Sequence, residues 1–239
     1  MIDDMNGDDM NGDDMNGDDM NGDDMNGEVS PEDAARFWAA LDDARRFFLG
    51  DADVQRALLR VIALLDGEGI PYALAGALAL NVYGYKRTTE DVDLLLTPAG
   101  LLALKAVALG HGYREKLPGS RGIRDTENNI GIDVPLAGEY PGDGKPKPVR
   151  FPDPSVAVRV PPQAPGAGAH VAVLPLSTVV ELKLASGISA PHRAKDIGDV
   201  VELIRRRPLG RALGLELDPS VRAKYDELWL AAQARDPHE

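Results

Sequence analysis

Cysteine is absent from this 239-residue chain. That excludes disulfides, thiolate metal sites and a cysteine nucleophile, and it fits a protein of a reducing compartment. Methionine is missing from the body of the chain, because all six methionines lie in or before an N-terminal repeat. No apolar run approaches the length of a membrane span, and the N-terminus has no basic-then-apolar plan of a signal peptide. The expectation is a soluble, cytoplasmic protein without a membrane partner. Basic residues are outnumbered, and the formal net charge is −13, but ten of those charges belong to the repeat and the remainder stands near −3. Acidity of this kind confines nucleic-acid binding to the local clusters Lys86-Arg87, Arg193-Ala194-Lys195 and Arg205-Arg206-Arg207, and it argues against tight non-specific binding.

What is present begins with five copies of Asp-Asp-Met-Asn-Gly over residues 3–27. Like charge and glycine dominate the repeat, one Met in five is its only apolar element, and residues 1–29 read as a disordered tail. Asp4, Asn6 and Asp8 have the alternating oxygen spacing of a calcium loop. However, Asp9 stands where the turn glycine belongs and no Glu closes the loop, so a solvated acidic tail is the reading. Each repeat also supplies a Met, and with it an alternative start for the chain.

Order is expected from Ser30, where a capping Ser, Pro31 and the acids Glu32 and Asp33 open a helix with a stripe of Phe37, Trp38, Leu41 and Phe48. A second helix after Asp51 carries Val54, Leu58, Val61, Ile62 and Leu65 inward and stops at Gly67. The stretch 72–97 then reads as strand, glycine turn at Gly76, short helix, basic-and-hydroxyl loop, and a strand bearing Asp91 and Asp93. Beyond it we expect a helix over about 101–109 and strands near Ile123 and over 129–134. Residues 135–168 hold nine of the eighteen prolines and read as a long irregular loop with a short strand over 156–160. That loop is either a linker or an arm folded over a site. A strand over 170–174 and a helix over about 177–185 follow. After a break over 187–191, one helix carries Ile197, Val200, Val201 and Ile204 inward and ends at Pro208. The last helix, capped by Asp218-Pro219, buries Val221, Tyr225, Leu228, Trp229 and Ala232. The whole is α+β: a core over 30–174 and a helical region over 175–239.

Candidate chemistry centres on the acids. Alternation places Asp91 and Asp93 on one face of a strand, roughly 7 Å apart at their Cα atoms, a reasonable spacing for one or two hard divalent cations. Asp is depleted in strands, so two of them entering an apolar run need a reason, and Asp133 between Ile132 and Val134 offers a third carboxylate. A solvated polar strand face is the plainer reading of the same residues. His111, His170 and His192 show no metal spacing.

The order L-A-G-A-x(13)-D-V-D, the segment Arg87-Thr88-Thr89 and the later Asp133 resemble the nucleotidyltransferase superfamily of polymerase-beta-like fold. The bacterial branch with the AbiE-type toxin nucleotidyltransferases is the most similar. Glu181-Leu182-Lys183-Leu184-Ala185 and Arg193-Ala194-Lys195-Asp196-Ile197-Gly198-Asp199 are similar to that branch's C-terminal helical motif, and 137–146 looks like a subgroup signature with no chemistry attached. The resemblance covers about 68–206. It implies a mixed sheet flanked by helices, Mg²⁺ (one or two ions) on Asp91, Asp93 and Asp133, and a nucleoside triphosphate as partner. It further implies phosphate contacts from Gly76, Ala77, Arg87, Thr89, Lys183, Arg193 and Lys195, with Asp133 completing the metal site or helping to deprotonate a hydroxyl acceptor. The acceptor is left open among tRNA, protein and small molecules, and an antitoxin-like partner protein is implied with it. One position departs from the pattern. Ala77 stands where the family has Gly or Ser; it keeps the N–H, lacks the hydroxyl and tolerates positive φ poorly. Three readings therefore stand: an active nucleotidyltransferase, a catalytically silent nucleotide-, RNA- or partner-binding protein of the same fold, and a structural α+β domain whose acids merely decorate its surface.

Overall fold

Leu94, Leu95 and Leu96 are all fully buried, so this strand is covered on both faces and must lie inside a sheet. The computed structural model describes residues 29–47, 49–161, 170–207 and 209–233. The expected repeat tail (but for Val29), residues 162–168 of the proline-rich segment, the side chains of Leu41 and Phe48, and Pro208 lie outside them. Helices α1 (Pro31–Phe47) and α2 (Leu49–Gly67) lead into β1 (Tyr72–Leu74), α3 (Gly76–Val82), β2 (Asp91–Leu96) and α4 (Pro98–Ala108). Strands β3 (Tyr113–Glu115), β4 (Ile123–Asp125), β5 (Ile130–Asp133), β6 (Val158–Val160) and β7 (Val171–Val173) follow. The chain closes with α5 (Leu176–Ser189), α6 (Ala194–Arg206), α7 (Leu213–Glu216) and α8 (Pro219–Gln233).

The seven strands form one mixed sheet in the order β3-β4-β5-β2-β1-β7-β6. Pairs β1–β7 and β2–β5 are parallel, and the remaining neighbours run antiparallel. Helices flank the sheet, and one cluster of buried apolar side chains runs from Ala34 to Leu228. This is the expected α+β architecture with a mixed sheet. Ser30 caps α1 through Asp33 N at 3.1 Å, and Phe37 and Trp38 turn inward as the stripe requires.

Several boundaries differ from expectation for local reasons. Helix α4 starts at Pro98 rather than near residue 101, because Thr97 caps it by accepting from Gly100 N at 2.9 Å and Pro suits the first helical turn. Gly187 does not end α5. The helix runs through it to Ser189, and the absent side chain lets Ile197 of α6 pack against the backbone there. The break falls at Ala190 instead, with φ −137° and ψ 104°, because the ring of Pro191 drives its predecessor out of the helical region. Strand β3 and helix α7 were not expected; at three and four residues they are too short to carry a period.

Helices α5 and α6 are joined by buried charge as well as by apolar contact. Lys183 Nζ lies 2.7 Å from both Asp196 Oδ1 and Asp199 Oδ2. Ser186 Oγ donates to Asp196 Oδ2 at 2.6 Å, Arg193 Nε at 2.9 Å, and Arg87 Nη1 reaches Asp199 Oδ2 at 2.7 Å. Asp196 and Asp199, at i and i+3, share the inward face of α6 with Val200 and Leu203, a polar interruption that apolar periodicity does not reveal. Burial alone would raise the Asp196 pKa, but Lys183, Ser186 and Arg193 outweigh it and hold the carboxyl below its ordinary value. A depressed folded-state pKa contributes stability above the ordinary carboxyl range, and that contribution is lost as the pH falls through the folded value. Asp196→Ala should therefore cost about 3 kcal/mol in urea unfolding at pH 7, with the gap to wild type narrowing below about pH 4. A change under about 0.5 kcal/mol would show that the network adds nothing.

Candidate active site

The glycine turn and the acid-bearing strand are held together by backbone first. Ala75 N donates to Asp93 O at 2.9 Å, which brings the end of β1 against the start of β2. Gly76 then takes φ +60°, and a Cβ there would overlap the Asp93 carboxylate. Only glycine meets both conditions, positive φ and zero clearance. Ala77, by contrast, is not among the described residues with positive φ. The left-handed conformation that alanine tolerates poorly falls one residue earlier, where glycine stands.

Register explains the acids. In the parallel β2–β5 pair, Asp91 faces Gly131, Val92 faces Ile132 and Asp93 faces Asp133. Val92 and Ile132 point into the core and are fully buried. By alternation the three carboxylates share the opposite face, and the missing side chain of Gly131 leaves space beside Asp91.

These residues open into a cleft of about 340 Å³. Its floor is Gly76, Ala77, Asp91, Asp93 and Asp133; its opposite wall is Lys183 and Ser186 of α5 with Arg193, Lys195 and Asp196 at the start of α6; Arg87 and Thr89 complete the rim. All ten residues singled out from sequence thus face one cavity. Several are already engaged. Thr89 Oγ1 donates to Asp91 O at 2.9 Å and fixes the entry to β2. Arg87 is held by Asn81 at its backbone N and by Asp199 at its guanidinium. Lys183 is shared between Asp196 and Asp199. Lys195 forms no ion pair among the described residues. Three cations against the two buried carboxylates Asp196 and Asp199 leave this wall net positive, and Arg87 of the rim adds a fourth cation, opposite a floor of three acids.

The proline-rich segment is not a spacer between elements. Over its described part it forms a third wall, contributing Pro135, Pro141, Gly142 and Phe151 to the cleft. Leu96 and residues 135–137 exchange backbone hydrogen bonds, Gly138 N donates to Phe151 O and Phe151 N to Glu139 O. Lys147 Nζ ties the loop to itself at Pro141 O (2.6 Å) and Asp143, and to α5 at Ser189 Oγ (3.0 Å). Gly142, at φ +75°, sits so close to α5 that a Cβ would lie 2.7 Å from Ser186 O. Sequence offered linker and arm as alternatives; the arm is what the contacts build.

Sequence reasoning missed Lys116, whose ammonium lies 2.8 Å from Asp133 Oδ1 and 3.4 Å from Asp91 Oδ1. No motif contains it, and only the pairing of β3, β4 and β5 brings it to the acids. Burial works against its charge, but the hydrogen bond to Asp133 and the charges of Asp133 and Asp91 prevail and raise its pKa. Asp93 has no such partner: no hydrogen bond to its carboxylate is formed among the described residues. Burial first, then repulsion from Asp133, push its pKa up to about 6 against the pull of Lys183; Asp91 adds to the rise and Arg193 opposes it.

Three hard oxygen donors on one face, one of them enclosed without a donor, fit a divalent cation such as Mg²⁺ by their chemistry. Among the described residues no three acidic or histidine side chains converge on one point; Lys116 is bonded to two of the three carboxylates. No described helix is long and apolar enough to cross a membrane.

Comparison with known proteins adds little. No protein-family profile matches the chain, and no curated protein matches it. Among solved structures the chain is similar to ANT(2")-Ia in complex with adenylyl-2"-tobramycin, with a TM-score of 0.44 and 17% identity, covering 74% of this chain and 95% of that one.

The raised Asp93 pKa sets a test. Its folded value lies above the ordinary carboxyl value, so its contribution to stability is full below about pH 4 and is lost as the pH rises through about 6. Replacing the carboxylate with an uncharged isostere, Asp93→Asn, should stabilise the metal-free protein by about 1–3 kcal/mol at pH 8 and by almost nothing at pH 4. Thermal unfolding across that range reads the difference. A destabilised variant at pH 8 would mean that Asp93 has a protein partner.

Proposed function

We propose that the protein is a Mg²⁺-dependent nucleotidyltransferase, moving a nucleoside monophosphate from a nucleoside triphosphate to a hydroxyl acceptor and releasing pyrophosphate. The observation that carries this reading is the opposition, across one cleft, of the Asp91–Asp93–Asp133 face with its Gly76 turn and a net positive wall from α5 and α6. A polyanion that must be neutralised on both sides suits such a cleft, and nucleotidyl transfer depends mainly on positioning and charge stabilisation. Mg²⁺, when bound, would be held by Asp91 and Asp93 with Asp133 beside them, and would neutralise developing charge on the phosphate oxygens. First-turn N–H groups at Gly76 and Ala77 have no intrahelical partner and would face phosphate oxygens. The acceptor oxygen attacks the α-phosphorus and the bond to the β-phosphate bridging oxygen breaks. Asp133, once released from Lys116, would take the hydroxyl proton. Lys195 and Arg193 supply cationic charge to the departing pyrophosphate, while Lys183 mainly holds Asp196 and Asp199 in place. Thr89 and Arg87 shape the rim.

A second reading is favoured by two observations. Lys183 is committed to two carboxylates and Ala77 brings no hydroxyl, so the cleft has fewer groups for the transition state than the family pattern supplies. A catalytically silent protein that binds nucleotide, RNA or an antitoxin-like partner fits that arrangement. The acceptor of the active reading, whether tRNA, protein or small molecule, is decided by assay.

The test incubates the full chain with each α-labelled nucleoside triphosphate, Mg²⁺ and each acceptor class, beside an Asp91→Ala/Asp93→Ala variant. The active reading expects label transfer and pyrophosphate release that fall at least about 100-fold in the variant. Transfer that survives the double substitution contradicts the role of these acids, and tight nucleotide binding without turnover supports the silent reading.

A further inference from the structure

Lys116 emerges from the end of β3, where its N donates to Gly122 O at 2.9 Å and starts the hairpin to β4. From there its side chain crosses toward β5 and ends between Asp133 and Asp91. Two glycines make the path. A Cβ at Gly122 would stand 2.9 Å from Lys116 Cδ, and one at Gly131 would stand 2.9 Å from Lys116 Nζ and overlap Asp91. The side chain is only 24% exposed, so the ammonium is lodged at the acid row rather than passing through solvent.

We propose that Lys116 is a resident counter-cation of the carboxylate site, occupying the Asp91–Asp133 side until a divalent cation displaces it, and so a positioning residue that sets metal affinity. The inference rests on the metal site of the nucleotidyltransferase reading. Its physical basis is charge balance. Three carboxylates on one sheet face repel, and Lys116 bonds two of them while leaving Asp93 open. With Lys116 in place, the three carboxylates do not converge on one point. A divalent ion that uses all three must therefore break two ion pairs, and it then has a unit positive charge as a close neighbour. At a separation of about 5 Å in a water-like surrounding, that repulsion alone weakens metal binding about tenfold.

Mn²⁺, followed through the electron paramagnetic resonance signal of the free ion, is titrated into the full chain and into Lys116→Met, Lys116→Gln, Lys116→Arg and Asp93→Asn. The proposal expects both neutral variants to bind Mn²⁺ about tenfold more tightly than wild type, and Lys116→Arg to stay close to wild type. Lys116→Gln keeps a hydrogen-bond donor without charge, so either neutral variant decides if the other does not fold. Unchanged or weaker binding in the neutral variants, with binding still lost in Asp93→Asn, overturns the role of Lys116 and leaves the metal site standing. Failure of wild type and neutral variants alike to bind Mn²⁺ at millimolar concentration overturns both.

Discussion

Everything in the cleft depends on the close approach of Gly76 to Asp93. The turn after β1 packs on the carboxylate itself, so the acid of β2 and the first turn of α3 become a single surface. The approach exists because residue 76 has no side chain and takes a positive φ, and because Ala75 bonds the Asp93 carbonyl. It encloses Asp93 without giving it a donor, and the enclosure is the largest cause of its raised pKa. A half-buried carboxyl with no hydrogen-bond donor among the described residues is costly, and such cost is characteristic of sites that await a charged ligand.

Around that point the charges are sorted by secondary structure. The sheet contributes only acids, in the register Asp93 beside Asp133 with Asp91 two residues back. The helices α5 and α6 contribute the cations, steadied by Asp196 and Asp199 from below. The proline-rich arm closes the third side with apolar and backbone surface, pinned to α5 by Lys147 and by the fit of Gly142. Each wall therefore has its own source of rigidity, and none relies on a loop held only by its ends. Lys116 stands apart as a cation inserted on the acid side.

How much of this was legible in the chain follows from the range of the forces involved. The stretch 72–97 is legible because strand alternation and a turn glycine are local signals, and β2 runs where the Asp-Val-Asp pattern puts it. Asp133 was legible as an acid between strand formers, although its place beside Asp93 is a property of pairing. Lys116, Ser186, Phe151 and the inward faces of Asp196 and Asp199 were not found, since each acquires its neighbours only through tertiary contact. A lysine in a short hairpin, or two Asp on a helix rich in charge, look like solvent-facing residues until the partner element is known. The arm over 135–161 shows the same limit: its composition announced irregular backbone, and only the seat on α5 told wall from linker.

Under the proposed function, the acid face of this cleft receives a metal ion together with a nucleoside triphosphate. Crystals grown with Mn²⁺ and a non-hydrolysable triphosphate, measured at the manganese absorption edge, test it most directly. Expected are an anomalous peak between Asp91 and Asp93, triphosphate density reaching toward Lys195 and Arg193, and the Lys116 ammonium withdrawn from Asp91. A peak elsewhere, or an undisturbed Lys116–Asp133 pair with no ion beside it at saturating Mn²⁺, would contradict it.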